Sequence, residues 1–314
     1  MDQHTENHFR YLRCPRTGGE LEACAEGFRC KRTGEVYPVN EFGIALFAQQ
    51  AESHDSRQQQ LHYDRIANAY VAQLDYPHTQ VYMGYLDQAL LDQLSGESLG
   101  MTVELCCGRG EAMRLLNTRS PEGIGVDISE QMLNASVSEG VCDGWTLVQG
   151  DATKLPVASG SADTVVTLGG IHHVSDSQAL FSEVARVLKP GGVFVWREPV
   201  SDFFLWRMIR AIIYRLSPAL DHDTERPLRY DETAPVLDQV GLKLEHWQTY
   251  GYVGFCLFMN SDVLVFNRAF RFIPGIRAIT RAFVALDHWI AKLPGMRMQG
   301  LQVVGVAYKP EAFG

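Results

Sequence analysis

The sequence has no run of about 18 uninterrupted apolar residues, the length a membrane-spanning helix needs. Its two most apolar stretches, 203–216 and 253–272, are both broken by polar residues. Arg207, Arg210 and Arg215 interrupt the first, and Asn260, Asp262, Arg268 and Arg271 the second, so neither is expected to cross a bilayer. The first ten residues are polar and lack the apolar core of a signal peptide; a cytoplasmic location is expected from the cysteines, which suit a reducing compartment. Basic residues are in deficit: 28 Lys and Arg face 37 Asp and Glu, a formal charge of −9. Such a chain repels a phosphate backbone unless its bases cluster, which disfavours a general nucleic-acid binder. The seven cysteines do not look like a disulfide framework, because Cys106 and Cys107 are adjacent and several others fall in apolar patterns. There is no repeat of fixed period and no long low-complexity tract.

What is present is a 46% apolar chain of 314 residues, enough for about two domains. Four regions separate. Residues 1–50 form a small unit rich in Cys, Gly and Pro. Residues 51–60 (AESHDSRQQQ) read as a polar linker to the main domain, 61–314. Within that domain, 61–200 alternates strand-like runs at 101–105, 123–126, 145–148, 164–168 and 193–196 with helical patterns. Such alternation predicts an α/β fold with a doubly wound parallel sheet. Runs at 242–248 and 301–308 bring the expected strand count to seven.

In such a sheet the ligand sits beyond the carboxyl ends of the strands. Those ends carry Glu104, Asp127, Asp151 and Gly169. The first strand runs into Cys106-Cys107-Gly108-Arg109-Gly110, where glycines let a ligand approach the backbone at a helix start. Asp127, 23 residues after Glu104, is placed to accept hydrogen bonds from a ribose diol. A dinucleotide fingerprint would need a third glycine at 113, which is Met113, so a pyrophosphate ligand is disfavoured.

Five segments in order carry a resemblance: VELCCGRG at 103–110, GVDISEQML at 125–133, QGDATKLP at 149–156, SADTVVTLGGIHHV at 161–174 and EVARVLKPGG at 183–192. The chain resembles the class I S-adenosylmethionine-dependent methyltransferases of the small-molecule type, over roughly residues 100–250. The resemblance implies a Rossmann-like seven-stranded sheet. It implies that Glu104 and the loop from Cys106 through Gly108 to Gly110 hold the methionine part of S-adenosylmethionine. Asp127 with Ile128 would face the ribose, Asp151 with Ala152 the adenine, and Leu168 and Gly169 the methionine amine. Cys106 stands where the family has its first loop glycine.

Methyl transfer asks the protein to align a nucleophile, exclude water and, where needed, remove a proton. His172 and His173, just after the fourth strand, suit that base role. Glu198, after the fifth strand, is the candidate substrate contact. The Asn/Asp-Pro-Pro-Tyr sequence that holds an amino group in many related N-methyltransferases is absent, which argues against exocyclic base amines. The expected substrate is a small apolar or aromatic molecule.

The N-terminal unit resembles a zinc ribbon through Cys14-Pro15-Arg16-Thr17 and Cys30-Lys31-Arg32-Thr33. Thr17 and Thr33 stand where second cysteines are needed, and threonine is a poor zinc ligand, so a degenerate ribbon without metal is expected. One rival function is a ribosomal RNA methyltransferase gripping RNA through Arg10, Arg13, Arg16, Arg29, Lys31 and Arg32. Another is a non-catalytic cofactor-binding subunit. In the last region, Ile276, Ile279, Phe283, Leu286, Ile290 and Leu293 form a helical stripe, as do Leu205, Ile209, Ile212 and Leu216. Segments 201–230 and 255–300 are expected to form a cap over the methyl end of the cofactor. An apolar substrate pocket inside the cap ranks second, and contact of 203–216 and 255–298 with an anionic membrane surface third.

Overall fold

A computed structural model describes residues 9–48, 57, 60, 76–140, 144–204, 206–208, 226–259 and 265–311. The expected linker lies outside these apart from residues 57 and 60, as does the stripe of Leu205, Ile209, Ile212 and Leu216.

The strands are β1 (Leu21–Cys24), β2 (Gly27–Cys30), β3 (Val36–Pro38), β4 (Ala45–Leu46), β5 (Thr102–Leu105), β6 (Gly123–Asp127), β7 (Trp145–Gln149), β8 (Ala162–Leu168), β9 (Leu188–Pro199), β10 (Lys243–Tyr250) and β11 (Gln302–Tyr308). The helices are α1 (Pro77–Leu91), α2 (Glu111–Leu116), α3 (Glu130–Ser138), α4 (Ser177–Val187), α5 (Tyr230–Gln239), α6 (Val253–Phe258) and α7 (Ile276–Ala291). Local chemistry explains several starts. Pro77 opens α1, where its missing N–H costs nothing. The Ser129 hydroxyl accepts the Met132 N–H at α3, and the Asp176 carboxylate accepts the Ala179 N–H at α4.

The seven expected strands all form, but the sheet has eight. Its order is β4-β7-β6-β5-β8-β9-β11-β10, parallel except for β11, which runs antiparallel to both β9 and β10. The added strand is β4, from the N-terminal unit, and it lies parallel to β7 at the sheet edge. Period-2 alternation sends Val165 and Phe194 to one face and Val166 and Val195 to the other. Leu180, Phe181 and Val184 of α4 cover the first face; Tyr82, Leu86 and Leu90 of α1 cover the second.

The N-terminal unit is a three-stranded antiparallel sheet, β1-β2-β3. Its core of Leu12, Phe28, Tyr37 and Phe47 is continuous with the first face of the large sheet. Polar bonds fix the same contact. The Gln149 side chain bonds both the N–H and the carbonyl of Ala48, and Asn40 Nδ2 donates to Glu130 and Asn134 of α3 at 2.8 and 3.0 Å. The Cys14 thiol sits 3.2 Å from the Tyr37 hydroxyl, and Thr17 Oγ1 sits 3.6 Å from Cys30 Sγ. Burial opposes ionisation of Cys30, but hydrogen bonds from Thr33 and Thr17 outweigh it and bring the thiol down to about 6. Cys24, half-buried at the end of β1, completes no metal-binding group, and none occurs among the described residues.

Part of the segment expected to form the cap, 255–300, is described. Helices α6 and α7 pack on each other, on α1 and on the β10 side of the sheet. The helical stripe is turned. Helix α7 buries Ile276, Thr280, Asp287 and Ala291, while Ile279, Leu286 and Leu293 of the expected stripe stand exposed. The reason is Asp287, which is wholly buried and hydrogen-bonded and so rotates the helix away from its most apolar face.

Candidate active site

A cleft of about 370 Å³ opens at the carboxyl ends of β5, β6, β7 and β8. That volume falls in the range of small-molecule sites. Glu104, Cys106, Gly108, Asp127, Ile128, Asp151, Ala152, Leu168, Gly169 and His173 of the expected residues line it. Gly110, His172 and Glu198 do not. Gly110 instead caps α2 in the left-handed conformation.

Each carboxylate is held by backbone. Glu104 is buried, and its two oxygens accept the N–H groups of Ala112 and Met113 at 2.9 and 3.1 Å. Burial pushes its carboxyl up to about 8, against those two bonds, which favour the ionised form. Asp127 accepts from Gly108 N–H at 2.7 Å and from Ser129 N–H at 2.8 Å, so it joins the β5 loop to the start of α3. Asp151 accepts from the Thr153 N–H and hydroxyl at 2.8 and 2.7 Å, a local turn.

Glu198 corrects the expectation of a substrate contact. It is fully buried beneath the loop after β8. Its Oε1 accepts the N–H groups of Gly170 and Ile171 at 2.7 and 2.9 Å, and its Oε2 lies 2.8 Å from His172 Nδ1. A carboxylate there accepts a hydrogen bond from Nδ1–H, the tautomer that leaves Nε2 as the basic nitrogen. The His172 and His173 rings pack with centroids 3.8 Å apart, and of the two His173 reaches the cleft.

Cys106 adopts φ +50°, a conformation that costs a non-glycine residue about 1 kcal/mol or more. Its side chain fills the space beside Gly170. A Cβ on Gly170 would lie 2.3 Å from Cys106 Cβ, whereas one on Gly169 would meet nothing within 4 Å. Gly170→Ala should therefore push the two cleft loops apart, with a stability loss of about 1–3 kcal/mol. Thermal unfolding and cofactor titration of the variant check this; an unchanged midpoint with unchanged affinity would show that the loops yield freely.

Arg109, Glu111, Arg114, Met132, Lys154 and Asp176 also line the cleft, though none is among the individual site residues expected from the sequence. They lie in the first turns after the strand ends, so helix starts next to the motif would have found most of them. Burial raises the Glu111 carboxyl and Arg197 opposes that rise. The Arg197 guanidinium, itself buried, pairs with Asp87 of α1 and lies 3.6 Å from Glu111.

Residues 103–196 match the family described as a methyltransferase domain. The match spans about three tenths of the chain. Among relatives, a demethylmenaquinone methyltransferase of Lactococcus lactis subsp. lactis is 39% identical over 105 residues, covering 31% of this chain and 41% of the relative. The chain thus spans about two fifths of the length of that relative. Among solved structures, the [4+2]-cyclase SpnF superposes with a TM-score of 0.56 at 16% identity, over 82% of this chain and 97% of the cyclase. An S-adenosylmethionine-dependent methyltransferase of Thermotoga maritima, described as a possible histamine N-methyltransferase, gives 0.53 at 20%, over 79% and 98%. At those identities the likeness is one of fold alone, and a cyclase among the neighbours shows that this fold does not dictate one reaction.

S-adenosylmethionine is the cofactor of this domain class. The residues present suit it: a carboxylate at the end of β6, open space over Gly169, and a second carboxylate across the cleft at Asp151.

Proposed function

We propose that the protein transfers a methyl group from S-adenosylmethionine to a small apolar or aromatic molecule. The observation that carries this is the convergence of Glu104, Asp127, Asp151 and Gly169 on one cleft at the strand ends of the methyltransferase domain. The cofactor supplies an electrophilic methyl group on a sulfonium. In this reading the backbone of 106–108, Leu168 and Gly169 holds the methionine part. Asp127 with Ile128 takes the ribose, and Asp151 with Ala152 the adenine. Glu104 acts indirectly, by fixing the start of α2 under the loop.

His173 faces the acceptor and removes its proton. His172, held by Glu198, packs against that ring and fixes its position. The name of the demethylmenaquinone relatives supports an acceptor with an apolar, aromatic body. Leu168, Val174 and Ala179 offer apolar wall for it.

Asp127→Ala tests the reading. Hydrogen bonds to a charged acceptor are worth about 1.5–3 kcal/mol each, so affinity for S-adenosylmethionine should fall at least about tenfold. Calorimetry on the folded variant measures it, and unchanged affinity would remove Asp127 from the site. Labelled cofactor with cell extract then separates the acceptors: label in apolar metabolites supports the proposal, and label in RNA supports the RNA-directed rival.

A further inference from the structure

Among the described residues, helix α7 leaves an apolar stripe without a covering partner. Ile279, Leu286 and Leu293 are 42%, 40% and 36% exposed, and Trp289 is 58% exposed. These four positions recur at helical spacing and face one side of α7 and of the turn that follows it. Phe272, seven residues before Ile279, is 74% exposed. A contiguous apolar stripe of this kind is unusual on a surface that faces only water.

The charge beside the stripe is the second observation. At 100° per residue, Arg281 and Lys292 border its open edge, with Arg277 just beyond. All three are exposed, and none has an acidic partner among the described residues. The acidic residue of the helix, Asp287, points inward and is consumed by Tyr82 and the backbone of α6. An otherwise acidic chain, with a formal charge of −9, thus concentrates unpaired cations next to exposed Ile, Leu and Trp.

We infer that α7 is an interfacial helix, and that its occupant is the surface of an anionic lipid bilayer. The apolar stripe would enter the headgroup boundary, and Arg277, Arg281 and Lys292 would meet lipid phosphates. Trp289 suits this boundary, because an indole pairs an apolar body with a polar N–H. A second copy of the chain is the weaker occupant. A symmetric contact would bring the same unpaired cations toward each other with no acidic residue opposite. No helix among the described residues is long and apolar enough to cross a membrane, so the contact is peripheral. The inference does not depend on the proposed methyl transfer.

The test is co-sedimentation of the full chain with phosphatidylcholine vesicles, with and without phosphatidylglycerol. The intact protein should pellet with the anionic vesicles and should be released by salt. Two variants at exposed positions separate the contributions without disturbing the core. Leu286→Glu with Trp289→Glu removes the stripe. Arg277→Glu with Arg281→Glu and Lys292→Glu reverses the charge. Each should weaken binding to anionic vesicles by roughly 20-fold or more. Cofactor affinity, measured on the same preparations, should not change. Failure of the intact protein to pellet, or equal pelleting of all three proteins, would overturn the proposal. So would self-association of the intact protein in sedimentation velocity that the stripe variant abolishes while vesicle binding stays absent.

Discussion

Asp287→Ala is expected to destabilise the protein by about 4 kcal/mol. The Asp287 carboxylate is wholly buried. Its Oδ2 accepts the Tyr82 hydroxyl at 2.5 Å and the N–H groups of Tyr252 and Phe255 at 2.9 and 3.2 Å, and its Oδ1 accepts the Gly254 N–H at 3.1 Å. Three of these donors lie at the start of α6, where the helix dipole also favours a negative charge. Alanine would leave all four donors buried without an acceptor, at about 1–3 kcal/mol each before relaxation. Because the bonds join α1, α6 and α7, the variant should also loosen that layer. Urea unfolding gives the stability change, and a loss under about 1 kcal/mol would mean that water replaces the carboxylate.

Arg197→Met should cost about 2–3 kcal/mol. Arg197 lies on β9 next to the cleft, where its carbonyl accepts the Gly169 N–H at 2.8 Å. Its guanidinium bridges Asp87 on α1 and Glu111 on α2. Methionine fills much of the volume but leaves two carboxylates facing each other. Their side chains keep 29% and 28% exposure, so water softens the loss relative to a fully buried pair. Arg197→Lys should recover only part of it, since a point charge cannot fork between two carboxylates. In the methionine variant Glu111 should ionise less readily, because the cation that opposes the effect of burial is gone. Denaturation of both variants at neutral pH checks the order; equal stability of Met and wild type would show that the bridge contributes nothing.

Much of the sheet was legible in advance, because parallel strands buried on both faces read as short apolar runs. Strand β4 was not. Two residues, Ala45 and Leu46, leave no periodicity to see, and their pairing partner lies about 100 residues away on β7. Its anchor, Gln149, is buried and bonds Ala48 and the Ile128 carbonyl. Glu198 follows a strand, the position that marks Asp127 and Asp151 as cleft residues and makes it a candidate substrate contact. Such a position does not fix direction, and three loop N–H groups turn Glu198 inward.

The sequence by itself determined the α/β class, the seven long-range strands and the acidic residues at the strand ends. These follow from local apolar patterning and turn chemistry, which depend on neighbours in the chain. Only the tertiary structure decided that the N-terminal unit extends the sheet, that His173 rather than His172 reaches the cleft, and which face α7 buries. In helix α7 the apolar pattern alone would turn Ile279, Leu286 and Leu293 inward. Four donors from distant segments converge on Asp287, and satisfying a buried carboxylate outweighs burying a few more methyl groups. No pattern within one helix records those donors, because α1 and α6 bring them there only after the chain has folded.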